Sequence, residues 1–341
     1  MLPKLPDLPA PVGGSLQSAP PSAPSTGPLP PTSQPHLYGP PPVGPSFAAP
    51  PPPPPGFVPV HMPQPGTTLQ SARGNYLVRS VIGAGVFGAV YECVGPFDQV
   101  YAVKVIRPAN RPYAEVRHEW ESEVRRLMSL RHPNVVYIHD AFEEKSLFFL
   151  ALERCDHPLH AMLGAPMQEG LVVELARQLL AAVQFLHESD IVHDDLHPGN
   201  VLISQRDRPV VKISDFGISH ELRGAVAIHP NVVHHNIMAP EVVAAGYTSK
   251  QSDLYQVGLL LYWMVTGEPA IVPGLPYQEL VRIVSEGEPR KRAERIGTPL
   301  GDMIAKLLRR RDAYRYTSAR EVWADLREHP AWRGHPIFQL R

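Results

Sequence analysis

From Asn75 onward the apolar positions fall into short blocks whose spacing changes from one stretch to the next. Tyr76-Leu77-Val78 and Val81-Ile82 read as strand, Gly83-Ala84-Gly85-Val86-Phe87-Gly88 as a glycine turn, and Val90-Tyr91 as strand again. Strand, glycine turn, strand is a hairpin; a dinucleotide-binding fingerprint would run into a helix instead. Residues 101–106 alternate as a strand with Lys104 at the centre, 147–152 form an apolar strand, and 210–213 another. The 3.6-residue period predicts helices over 114–130 and 171–188. A strongly apolar helix opens at Ser252-Asp253.

The first 72 residues have no such pattern. Of the 41 prolines, 24 fall before residue 67, mixed with Gly and Ser. Such a stretch cannot build backbone ladders or bury a core, and is expected to be disordered with polyproline II character. Pieces such as Pro3-Lys4-Leu5-Pro6 suit the aromatic groove of a Pro-binding module; the plainer reading is a spacer. The expected domains are therefore 1–72, a folded domain over 73–333 and a tail over 334–341.

Charge excludes more than it suggests. Thirty-two basic residues against 33 acidic ones give a net charge of -1, so bulk charge supports neither a nucleic-acid nor a membrane-surface partner. No apolar run is long enough for a membrane span, and residues 1–20 lack a signal core. Two isolated cysteines, Cys93 and Cys155, form neither a disulfide framework nor a metal spacing. A reducing, cytoplasmic setting is the expectation.

Candidate chemistry concentrates in residues 191–203, IVHDDLHPGNVLI, with two carboxylates, two histidines and an amide between apolar flanks. Polar groups so enclosed are costly unless partnered, so the stretch reads as a site. Lys104 in mid-strand likewise demands a partner, and Glu123 is the candidate, four and seven residues before the apolar Leu127 and Leu130.

His193, Asp195, Leu196 and Asn200 fall on the H-R-D-L-x-x-x-N catalytic loop, with Asp194 where the arginine belongs, and the chain resembles the eukaryotic-type serine/threonine protein kinase family. Further motifs follow in the family's order: the glycine loop, Ala102-Val103-Lys104, Glu123, Asp215-Phe216-Gly217, Ala239-Pro240-Glu241, the helix beginning at Asp253, and Arg315. They cover about three quarters of the chain. The resemblance implies a bilobal α+β fold. A small antiparallel β lobe with one regulatory helix (about 73–153) is joined to a larger, mainly helical lobe (about 156–333).

It also implies ATP and Mg²⁺ as cofactors and a protein substrate. Asp195 becomes the catalytic base, with His197 beside the γ-phosphate, and Lys104 contacts the phosphates while paired to Glu123. Asn200 and Asp215 become metal ligands. Ile82, Gly83, Ala84, Gly85, Val86, Phe87 and Gly88 would cover the nucleotide. Val90, Ala102 and Leu202 would sandwich the adenine, with Leu152 as gatekeeper and Glu153 and Cys155 reading its edge. Glu241 and Arg315 would form a buried pair.

Three departures stand out. Asp194 occupies the position of an arginine that pairs with a phosphorylated activation loop, and 218–238 holds a single hydroxyl, Ser219. His197 stands for a lysine and His234 for a threonine. The sequence therefore predicts a kinase not switched by activation-loop phosphorylation. A catalytically weak or inactive nucleotide-binding scaffold is the alternative. A small-molecule kinase is disfavoured by the Ala239-Pro240-Glu241, Asp253 and Arg315 elements.

Overall fold

The computed structural model describes residues 61–85, 88–106, 111–205, 208–230 and 232–333. The Pro-rich stretch before residue 61, the tail 334–341 and the glycine-loop residues Val86 and Phe87 lie outside them.

A six-stranded antiparallel sheet forms the first lobe: β1 (Thr68–Ser71), β2 (Gly74–Gly85), β3 (Gly88–Val94), β4 (Val100–Ile106), β5 (Ile138–Glu144) and β6 (Leu147–Glu153). Their spatial order is β1-β2-β3-β4-β6-β5. Alternation puts Val78, Tyr91, Cys93, Val103, Val105 and Phe149 into one buried cluster. The opposite face receives helix α1 (Tyr113–Ser129), which buries Val116, Glu123 and Leu127. Trp120 Nε1 donates to the Phe149 carbonyl (3.2 Å), fixing the helix to β6.

Two sequence expectations shift here. Strand β1 lies inside the stretch assigned to the Pro-rich segment, and Met62 packs on the same core. A four-residue edge strand with one buried apolar side chain, Leu69, is too short to show a period. The glycine turn is also mostly strand, since β2 runs to Gly85 and Gly85 pairs with Gly88.

The second lobe follows through β7 (His157–Pro158), α2 (Glu169–Glu188), β8 (Ile191–Val192), β9 (Val201–Gln205), β10 (Pro209–Ile213), β11 (His220–Glu221) and β12 (Ala227–Ile228). Then come α3 (Pro240–Ala245), β13 (Thr248–Ser249), α4 (Lys250–Thr266), α5 (Tyr277–Glu286), α6 (Glu288–Glu294), α7 (Pro299–Leu307), α8 (Ala319–Leu326) and α9 (Pro330–Arg333). Helix α4 is buried along most of its length, so apolar residues surround it instead of forming one stripe. Ser249 and Ser252 close a reciprocal capping box at its start. At Gly258 a Cβ would lie 2.8 Å from Leu307 Cβ, so glycine lets α4 approach α7. No described helix is long and apolar enough to cross a membrane. The architecture is the bilobal α+β arrangement that the motifs implied.

Candidate active site

The catalytic-loop stretch between β8 and β9 is held from below by α4. Asp253, fully buried in the first turn of α4, accepts the backbone N–H of His193 (2.9 Å) and of Asp194 (2.8 Å). Its carboxylate also meets His187 Nε2 at 2.8 Å. One turn on, Gln256 accepts the Leu196 N–H (2.8 Å) and donates to the Asp194 carbonyl (3.1 Å). From the other side His193 Nε2 lies 3.1 Å from the Ser214 carbonyl, and its ring packs edge-on against buried Phe216. These bonds fix the loop backbone and leave the Asp195 side chain partly exposed.

Asp195 is the point where the loop's polar groups meet. Asn200 Nδ2 donates to its Oδ2 (2.8 Å) and to its carbonyl (3.1 Å). His234, from the segment before α3, brings Nδ1 within 2.9 Å of Oδ1, and His197 Nε2 lies 3.8 Å from Oδ2. The two imidazoles pack edge to face, 4.8 Å between centroids. Burial lowers the pKa of His197; Asp195 opposes that, while His234 and His193 reinforce it. The ring thus favours its neutral form, and the position expected to face phosphate carries no fixed cation.

Lys104, on β4, brings the two lobes together. Its Nζ is 2.9 Å from Glu123 Oε1 on α1 and 2.8 Å from Asp215 Oδ1. Burial works against the ammonium, but Glu123 and Asp215 outweigh it, and the lysine pKa is raised. Lys104 in turn pulls the Asp215 carboxyl down to about 2. Asp215 sits in the left-handed backbone region (φ 63°), which turns its carboxylate toward Lys104 while Phe216 goes into the core. Arg126 pins this bend by donating to the carbonyls of Phe216 (2.9 Å) and Ser219 (2.6 Å).

The donor set suits a hard cation. Asn200 Nδ2 is engaged by Asp195, which leaves its Oδ1 as the available ligand atom, and Asp215 is ionised across the neutral range.

Above this cluster, sheet register sets Val90 opposite Lys104 and Ala102 opposite Leu152. Val90, Ala102 and Leu152, with Leu202 from β9, are half-buried. Ile82 and Ala84 are exposed and Gly83 half-buried at the end of β2. Gly88 has a steric reason to be glycine, because a Cβ there would fall 1.8 Å from the Val105 carbonyl oxygen. Cys155 is buried, which pushes its thiol up to about 12. The Glu153 carboxylate accepts from Lys212 Nζ (2.7 Å) and from the Tyr137 N–H (2.7 Å), a tie between the lobes absent from the sequence reading.

Asp194 does not face solvent. It is buried, accepts from Thr248 Oγ1 (2.8 Å), and has Oδ2 3.5 Å from His220 Nε2 without hydrogen-bond geometry. Burial raises its pKa. The expected Glu241–Arg315 pair is present and doubly hydrogen-bonded (2.8 and 2.7 Å). Gln256, Arg126 and Thr248 were missed. A usable signal existed for the first, since Asp253 and Gln256 are one turn apart just before the apolar run 257–265.

The protein kinase domain model matches residues 76–330. Serine/threonine-protein kinase PrkC of Bacillus subtilis is 26% identical over 262 residues, covering 74% of this chain and 40% of that protein. Serine/threonine-protein kinase TIO of Arabidopsis thaliana is 28% identical over 260 residues, covering 75% and 19%. Serine/threonine-protein kinase ULK3 of Mus musculus is 29% identical over 286 residues, covering 78% and 58%. The chain thus spans less than two thirds of each of these relatives. With the family model covering most of the chain and the motif residues converging on one cleft, the chain belongs to the protein kinase domain family.

Proposed function

We propose that the protein transfers the γ-phosphoryl group of ATP to serine or threonine hydroxyls of protein substrates. The observation that carries this is Lys104 bridging Glu123 and Asp215 (2.9 and 2.8 Å), with Asp195 and Asn200 joined in the facing loop (2.8 Å). Phosphoryl transfer needs positioning and charge stabilisation more than covalent help, and these groups supply both. Asp195 orients the acceptor hydroxyl and takes its proton as the new O–P bond forms and the β–γ bridging bond breaks. Lys104, kept cationic by its two carboxylates, contacts the α- and β-phosphates. Asn200 and Asp215 hold Mg²⁺, which when bound neutralises phosphate charge. Ile82, Gly83, Ala84, Gly85 and Gly88 cover the nucleotide. Val90, Ala102, Leu152 and Leu202 flank the adenine, with Glu153 and Cys155 at its edge.

Control by activation-loop phosphorylation is absent in this reading. Ser219, the one hydroxyl in 218–238, is buried and bonded to Arg126 and the Phe216 carbonyl. Asp194, where a phosphate-binding arginine would stand, is an acid. Two buried free thiols fit a reducing, cytoplasmic setting, and the Pro-rich segment is assigned to a spacer that can engage a Pro-binding module.

A second reading, a nucleotide-binding scaffold, is favoured by the neutral bias of His197 and by His234 occupying Asp195 Oδ1. Transfer of labelled γ-phosphate from Mg·ATP to generic protein substrates separates the two. Label on serine or threonine that disappears in Asp195→Asn supports the enzyme. Nucleotide binding without transfer in the wild type favours the scaffold.

A further inference from the structure

Asp195, His197 and His234 each offer one ligand atom, and these atoms all lie within 4.8 Å of one another. The geometry points to a transition-metal site formed by these three side chains, one that takes Zn²⁺ and thereby withdraws Asp195 from an acceptor hydroxyl. It is separate from the Asn200 and Asp215 oxygens in both residues and chemistry. Two imidazole nitrogens and one carboxylate suit Zn²⁺ or Co²⁺, whereas Mg²⁺ prefers an octahedron of oxygens.

Three protein ligands with an open fourth position match a zinc centre that keeps a water or substrate ligand. The opening exists here: the side chains of His234 and His197 are 37% and 24% exposed, against 16% for Asp195, so an ion can enter from the cleft. Bonds of ~2.0–2.1 Å require ligand atoms about 3.3 Å apart in a tetrahedron. His234 Nδ1 lies 2.9 Å from Asp195 Oδ1 and His197 Nε2 3.8 Å from Oδ2, the two oxygens of one carboxylate, so a single-oxygen ligand requires the carboxylate to turn. Rotation of that carboxylate and of the two partly exposed rings brings one oxygen and two ring nitrogens, already within 4.8 Å of one another, to this spacing.

The proton movements follow from the present bonds. His234 Nδ1 donates to Asp195, and His197 Nδ1 accepts from the Gly199 N–H (3.0 Å), which puts the His197 proton on Nε2. Ligation moves each proton to the opposite ring nitrogen and gives up the Gly199 bond. Moderate affinity is expected, below that of a preformed structural zinc site. Asn200 Nδ2, 2.8 Å from Asp195 Oδ2, remains to orient the carboxylate, as groups behind metal ligands do.

The test uses the purified, metal-free full chain in excess Mg²⁺. Zn²⁺ is titrated in competition with a chromogenic chelator, and Co²⁺ is followed by its visible absorption. Wild type and His235→Ala, whose exposed ring packs on Tyr277 outside the cluster, should bind one Zn²⁺ and give the intense Co²⁺ bands of a four-coordinate site. His197→Ala and His234→Ala should each bind more than roughly 10-fold more weakly and lose those bands. Where an alanine variant melts differently from wild type, the Gln variant at that position replaces it. Unchanged affinity in either histidine variant, or an octahedral Co²⁺ spectrum in the wild type, overturns the site. Inhibition of transfer by Zn²⁺ rests on the kinase reading, and the binding arms do not. A wild type that binds Zn²⁺ but transfers no phosphate would keep the site and remove the enzyme.

Discussion

Removing Glu241 should cost more stability than almost any other single change among the described polar groups. Arg315 is 0% and Glu241 4% exposed in their side chains, and two guanidinium nitrogens meet two carboxylate oxygens at 2.8 and 2.7 Å. Ser252 Oγ donates to the same carboxylate (2.6 Å). Arg315 also donates to the carbonyls of Arg309 (2.8 Å) and Gln251 (2.9 Å) and lies over the Tyr255 ring, 5.0 Å from its centroid. Glu241→Ala strips the counter-charge from a cation that water cannot reach, a loss of about 3–5 kcal/mol. At about 2–4 °C per kcal/mol for a domain of this size, the melting temperature should fall by roughly 6–20 °C. Replacing both residues by leucine removes the stranded charge, so the double variant should be more stable than the summed losses of Glu241→Leu and Arg315→Leu predict. Thermal unfolding followed by circular dichroism measures the wild type, Glu241→Ala, the two leucine single variants and the double variant. A drop under about 2 °C in Glu241→Ala, or strictly additive losses, would refute the argument.

Gly88→Ala should force β3 away from the Val105 carbonyl, lowering stability by about 1–3 kcal/mol and weakening nucleotide affinity in a fluorescent-nucleotide titration. Unchanged binding there would count against the nucleotide-loop role. Asp194→Asn tests a buried acid whose folded pKa is raised, so its native-state advantage is present below the unfolded pKa and lost as pH rises through the folded one. The stability gap in favour of the Asn variant should widen from pH 4 to pH 7 in urea melts, and a pH-independent gap would sink the idea. His197→Lys restores a fixed cation where burial keeps the ring neutral, and should raise transfer several-fold at pH 7–8 while flattening its pH dependence. An unchanged or slower rate means that the missing charge is not limiting.

The site was more legible than its supports. Lys104 stood out because a charge in mid-strand needs a partner, Glu123 because it shares the apolar face of Leu127 and Leu130, and Asp215 because it heads the Asp-Phe-Gly motif of the family that the chain resembles. The structure joins all three within hydrogen-bond reach. The contact between His234 and Asp195 was invisible, since it depends on how the segment before α3 folds back over the loop. Helix α4 hid its polar role for another reason. Apolar on nearly every side, it has no stripe to reveal which face meets the loop, so Gln256 passed unnoticed. Asp194 shows that a departure can be located in the sequence while its surroundings, Thr248 and His220, remain beyond sequence reach. Strand β1 failed on length alone.

Asp253 never faces the cleft, yet a screen scored by turnover would rank it with Asp195. Its two oxygens receive two consecutive backbone N–H groups of the loop and the ring of His187. Asparagine there would present one acceptor oxygen and one amide donor to an arrangement built for two acceptors. Loss of activity on mutation is therefore a poor guide to which residues touch substrate in this lobe. An inhibitor or a clinical-style variant map aimed at chemistry alone would misfile a foundation as a tool.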